Sequence, residues 1–112
     1  MISHKEVEEY LLSMPNARLD YPFGENTAVY KAGTSPAGGK MFALVAEKSY
    51  PVKISLKCDP ILAETLREKY ESVMPGYHLN KKHWNTIVLS GQLNWQEVQD
   101  LIRHSYDLVA KT

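Results

Sequence analysis

A single cysteine, Cys58, stands in 112 residues, which excludes an internal disulfide framework and a zinc cluster built on several thiolates. No apolar run approaches the roughly 18 residues a membrane-spanning helix needs, and the opening MISHKEVEEY lacks the apolar core of a secretory signal. A cytoplasmic location is the expectation. Charge of one sign is also lacking: 13 Lys plus Arg stand against 13 Asp plus Glu. Repeats, linkers and biased tracts are absent, and 44% hydrophobic with 23% charged residues is an ordinary globular composition. The length fits one domain, 1–112, that buries roughly two-thirds of its unfolded surface.

The familiar catalytic patterns are missing as well. There is no Ser-His-Asp order, no carboxylate dyad in an apolar context and no dinucleotide fingerprint. GTSPAGGK, residues 33–40, has the outline of a phosphate loop, but Gly39 stands where the lysine belongs and Met41 follows Lys40 where Ser or Thr is needed. It reads as a hairpin loop. His78 and His83 are five apart, lack the i, i+4 spacing of a zincin helix and have no carboxylate nearby. Cys58 precedes a helix start, which can activate a thiol, yet cysteine at a strand-to-helix junction is by default a packed, inert side chain. Neither an enzyme, nor a cofactor, nor a metal is expected.

Three helices have readable ends. Ser3 and Glu6 form a capping box with Ile2 and Val7 as a hydrophobic staple, and Val7, Tyr10, Leu11 and Met14 make the stripe that Pro15 ends. Asp59 caps a second helix whose first turn accommodates Pro60, with Leu62, Leu66 and Tyr70 as its buried face. Asn94 and Glu97 box a third, striped by Val98, Leu101, Ile102, Tyr106 and Val109.

Between the helices the period falls to two. PVKISLK sets Val52, Ile54 and Leu56 on a core face and Lys53, Ser55 and Lys57 on a wet one. NTAVYKA, KMFALVA and NTIVLSG read as further strands, and a short edge is expected around LDYPFG because an edge tolerates Pro22. The order implies an α+β, two-layer fold: an antiparallel sheet with three helices packed on one face.

The neutral total hides an uneven distribution. The helical regions sum to −6 and the strand regions to +6, with every strand-region cation a lysine. With helices on one side, the expected molecule is a dipole with an acidic helical layer and a basic open sheet face. Lysines on such a face also serve solubility and edge protection.

PGYHLNKKHWNTI, residues 75–87, holds two histidines, two lysines and two asparagines with no carboxylate. Trp84 beside these lysines can stack on an unpaired base, but a Trp that opens an apolar strand is read here as an anchor. PGY then forms a turn, with Tyr21, Pro22 and Phe23 as core and edge packing beneath it.

This segment, together with YPFG (21–24), KMFAL (40–44), SLKCDP (55–60) and IRHSYDLV (102–109), resembles in order and spacing the MmcQ/YjbR family of small bacterial proteins. The resemblance covers nearly the whole chain. It implies a CyaY-like or type III secretion chaperone-like fold and a DNA-binding role through two loop wings. The first wing is KAGTSPAGGK, flanked by Lys31 and Lys40. The second is HLNKKHW, with Lys81, Lys82 and His83 at its tip. The lysines would hold phosphates of double-stranded DNA, Lys53 and Lys57 would extend the track, and Asn80, Asn85 or His83 would reach base edges. Without arginine, the usual bidentate reader of guanine, binding should be weak, salt-sensitive and poorly specific. The alternative is a chaperone- or adaptor-like module for a protein or peptide, using the acidic side with Glu6, Glu8 and Glu9 or an exposed sheet edge.

Overall fold

The structure is a computed structural model that describes residues 2–34 and 38–110. Along the chain run α1 (His4–Leu12), β1 (Arg18–Asp20), β2 (Thr27–Ala32), β3 (Lys40–Ala46), β4 (Lys53–Lys57), α2 (Pro60–Lys69), β5 (Val73–Pro75), β6 (Trp84–Val88) and α3 (Trp95–Ala110). The helix starts follow the capping chemistry of the sequence. The Ser3 hydroxyl accepts from the Glu6 N–H at 3.1 Å while the Glu6 carboxylate accepts from the Ser3 N–H at 3.2 Å. Asn94 and Glu97 repeat the exchange at 2.8 and 3.0 Å, and the Asp59 carboxylate accepts from the N–H groups of Ile61 and Leu62.

The six strands form one antiparallel sheet in the order β1-β2-β3-β4-β6-β5. All three helices pack on one face, so the two-layer α+β expectation holds. Val7 and Leu11 of α1 and Val98, Ile102 and Val109 of α3 close over Tyr30, Phe42, Ile54 and Ile87. Each of these side chains is at most 2% exposed. Apolar burial of this extent is the main favourable term in folding, worth about 25 cal/mol per Å² removed from water.

Three readings need correction. β5 was not anticipated: three residues ending in proline carry no readable period, and its place is set by pairing with β6 and by the burial of Val73. The buried residue of α2 is Ala63, with Leu62, Leu66 and Tyr70 only half-buried. The cause is position, since α3 crosses β2, β3 and β4 while α2 covers the β5 and β6 margin. Tyr21, Pro22 and Phe23 are exposed and lie outside the core, in a turn after β1 closed by the Gly24 N–H on the Tyr21 carbonyl.

One polar residue lies within the packed layer. The ladder between β3 and β4 registers Ala43 through Val45 against Leu56 through Ile54 and then stops. There the fully buried Ser105 hydroxyl of α3 donates to the Phe42 carbonyl and accepts from the Lys57 N–H at 2.9 Å. A helix side chain thus continues the sheet hydrogen bonding where the strands part.

Candidate functional site

Register places the two loops expected as wings at the same end of the sheet. Ala32 lies opposite Lys40, Lys57 opposite Trp84 and Pro75 opposite Asn85. The β2–β3 loop, the end of β4 and the β5–β6 loop therefore emerge at one end of the sheet. Residues 35–37 of the first wing lie outside the described residues. Three strand spacings of about 4.8 Å separate the centres of the two hairpins, or roughly 14 Å.

Each loop is held at its base by an arginine that the lysine-centred reading passed over. Arg18 donates from Nη2 to the Gly33 carbonyl at 3.3 Å and to that of Gly38. Arg67 donates from Nε to the Asn85 carboxamide oxygen at 2.6 Å and from Nη2 to the carbonyls of Lys81 and, at 3.4 Å, Trp84. A glycine makes the close approach possible in each loop. Gly39 has φ +84°, and a Cβ there would strike the Ala32 carbonyl; at Gly76 a Cβ would fall 2.7 Å from that of Trp84.

The expected contact residues separate on inspection. Lys40 and Lys82 are exposed and Lys57 is half-buried. Lys31 is paired with Asp20 at 3.6 Å. Lys81 is exposed, but its ammonium turns back to the Gly76 carbonyl at 3.1 Å. Asn80 is exposed and accepts from the Lys82 N–H at 3.0 Å, while His83 is half-buried. Asn85 does not face solvent. It is 2% exposed, accepts from Arg67 and donates to the Ala63 carbonyl at 3.2 Å. Strand parity explains this, because Asn85 and Ile87 share the helix-side face of β6. Trp84 is buried, 7% exposed, on the opposite side of β6, outside the main core cluster.

The open sheet face also differs from the wet, basic surface expected. Ser55 and Thr86 are buried, and their hydroxyls bond at 2.8 Å. Thr86 accepts in addition from the Tyr77 N–H at 3.1 Å, so the second wing folds back over the sheet. The result is a cleft of about 620 Å³ floored by Thr27, Leu44, Ala46, Ser55, Met74 and Thr86. Phe23 bounds it on one side; Tyr77, His78 and Leu79 bound it on the other, with Lys53 completing the lining. The rings of Tyr77 and His78 lie 4.0 Å apart. Lys53 therefore borders an apolar cleft, at the end of β4 away from Lys57.

A family model described as YjbR matches residues 12–108. The chain belongs to the YjbR family. It is 35% identical over 106 residues to the uncharacterized protein YbdF of Escherichia coli O157:H7, covering 95% of this chain and 83% of that protein. Its fold is similar to the crystal structure of Deinococcus radiodurans protein DR2400, a DUF419 domain. The TM-score is 0.90 at 36% identity, with 96% of this chain and 78% of that one covered. A Pseudomonas syringae crystal structure matches at TM-score 0.78 and 28% identity, covering 96% and 98%.

In this YjbR-family chain Cys58 is buried at 4% exposure, as its position before α2 implies. Desolvation first, and then the Asp59 carboxylate, push its thiol up to about 11, with Arg67 acting in the opposite sense. At pH 8, reaction with an aromatic disulfide reagent should be about a hundredfold slower than for a free thiol of pKa near 8.5, and urea should restore the ordinary rate. A fast reaction in the folded protein would contradict this. Since the unfolded thiol ionises first, the contribution of Cys58 to stability should decline as pH rises from about 8.5 toward 11. Among the described residues no three His, Cys, Asp or Glu side chains converge as a metal site, and no helix is long and apolar enough to cross a membrane.

Proposed function

We propose that this protein is a non-catalytic domain that binds the phosphates of double-stranded DNA from the sheet end where both hairpin loops emerge. The observation that carries the reading is the register, which brings Lys40, Lys57 and Lys82 to one end. The spacing of about 14 Å between hairpin centres is close to the roughly 12 Å width of a major groove. The loops held by Arg18 and Arg67 present Lys40 and Lys82 from fixed bases, and Lys57 ends the strand between them. Asn80, exposed, and His83, half-buried, are the side chains that would reach base edges. Lys31 and Lys81 contribute less, since each already has a partner in the protein.

Fluorescence anisotropy of a labelled duplex of about 20 base pairs tests the reading. Binding in the range of about 10⁻⁴ to 10⁻⁶ M at physiological salt is expected, weakening steeply as salt rises. Lys40→Ala/Lys82→Ala should flatten the log–log salt slope by about 1.8, or about 0.9 for each phosphate contact removed. Absence of binding at low salt, or a slope unchanged in the double variant, would overturn the proposal. A protein- or peptide-interaction module would then be the leading reading.

A further inference from the structure

The geometry points to the open-face cleft as a binding site for a small organic acid, with an aromatic or aliphatic body and a single carboxylate. Its volume of about 620 Å³ falls within the roughly 300 to 1,000 Å³ typical of small-molecule sites. A duplex is far too wide for such a space.

The lining decides the chemistry. One hydrogen bond joins the hydroxyls of Ser55 and Thr86, and Thr86 also accepts from the Tyr77 N–H. The centre of the floor thus uses most of its polar capacity internally, and the neighbouring Leu44 and Met74 offer apolar contact. Recognition of charge is left to the rim. Lys53 and His78 are exposed there, and among the described residues no carboxylate lines the cleft. A cation at the border of a water-poor apolar surface favours an anion, because a charge-assisted hydrogen bond is stronger there than in bulk water. A ligand would set its carboxylate toward Lys53 and its body against Leu44, Met74 and the Phe23 and Tyr77 rings.

The probe is 2-naphthoate, with 2-naphthalenemethanol as its uncharged counterpart, followed by amide chemical shifts of the full chain. Naphthoate should shift the amides of Leu44, Ser55, Thr86 and Tyr77 together and bind more tightly than the alcohol. Lys53→Gln should weaken naphthoate about tenfold and leave the alcohol unchanged. Met74→Glu, at a position 39% exposed and so tolerant of substitution, sets a carboxylate in the cleft and should abolish naphthoate binding. Equal affinity for acid and alcohol, indifference of naphthoate to either substitution, or shifts away from this face would overturn the assignment. The DNA titration turns on Lys40 and Lys82 and this one on Lys53 and Met74, so the failure of one leaves the other standing.

Discussion

Arg67→Met is expected to lower the unfolding free energy by about 3 kcal/mol and the melting temperature by roughly 10 to 20 °C. Arg67 joins α2 to the β5–β6 loop through Asn85, Lys81 and Trp84. Methionine preserves much of the stem's packing but removes every one of these donors. The larger part of the loss comes from Asn85, whose carboxamide oxygen would be left buried without that partner, at a cost of about 1 to 3 kcal/mol. The lost charge-assisted bonds supply the remainder. Chemical denaturation measures the total, and hydrogen exchange shows where it falls: the amides of Gly76 and His83, which bond to Trp84 and Asn80 at 2.8 and 3.2 Å, should lose protection first. Arg67→Lys should recover less than half, because an ammonium cannot reproduce the guanidinium fork. A loss below about 1 kcal/mol would show that the clamp carries little of the loop's order.

Ser105→Ala should cost about 2 to 4 kcal/mol although it deletes one oxygen atom. That hydroxyl serves the Phe42 carbonyl and the Lys57 N–H where the β3–β4 ladder has ended. Both backbone groups would lose their partner beneath α3, with each unpaired buried group costing about 1 to 3 kcal/mol. Urea unfolding should give a lower midpoint with an unchanged slope, since the fold and its buried area persist. A change under about 0.5 kcal/mol would mean that the strands close up or water enters.

The parts of this fold that were legible are those whose partners lie nearby in sequence. Ser3 with Glu6, Asp59 with Pro60 and Asn94 with Glu97 are local arrangements, and each was recognisable before any tertiary contact was known. The alternation of β4 was also local, and the facing of Val52, Ile54 and Leu56 follows from it. Arg18 and Arg67 were missed because their partners are largely backbone carbonyls 14 to 20 residues away. A carbonyl has no signature in a sequence. Ser105 was not singled out within the α3 stripe, yet a small polar residue centred in a helix face is itself a sign of buried backbone in need of a partner. Asn85 was misplaced although the signal existed, because its parity with Ile87 turns it inward. The cleft had no comparable signal, since it depends on the second wing folding back onto Thr86.

The edges of the sheet have a consequence for behaviour at high concentration. β1 and β5 are three residues each, β1 brings Arg18 and Asp20 to its margin, and β5 ends at Pro75. A further strand would find few free backbone groups at either side and, at β5, a residue that cannot donate a ladder bond. Both margins thereby act as gatekeepers against edge-to-edge growth into fibrils, a protection written into the shortest elements of the chain.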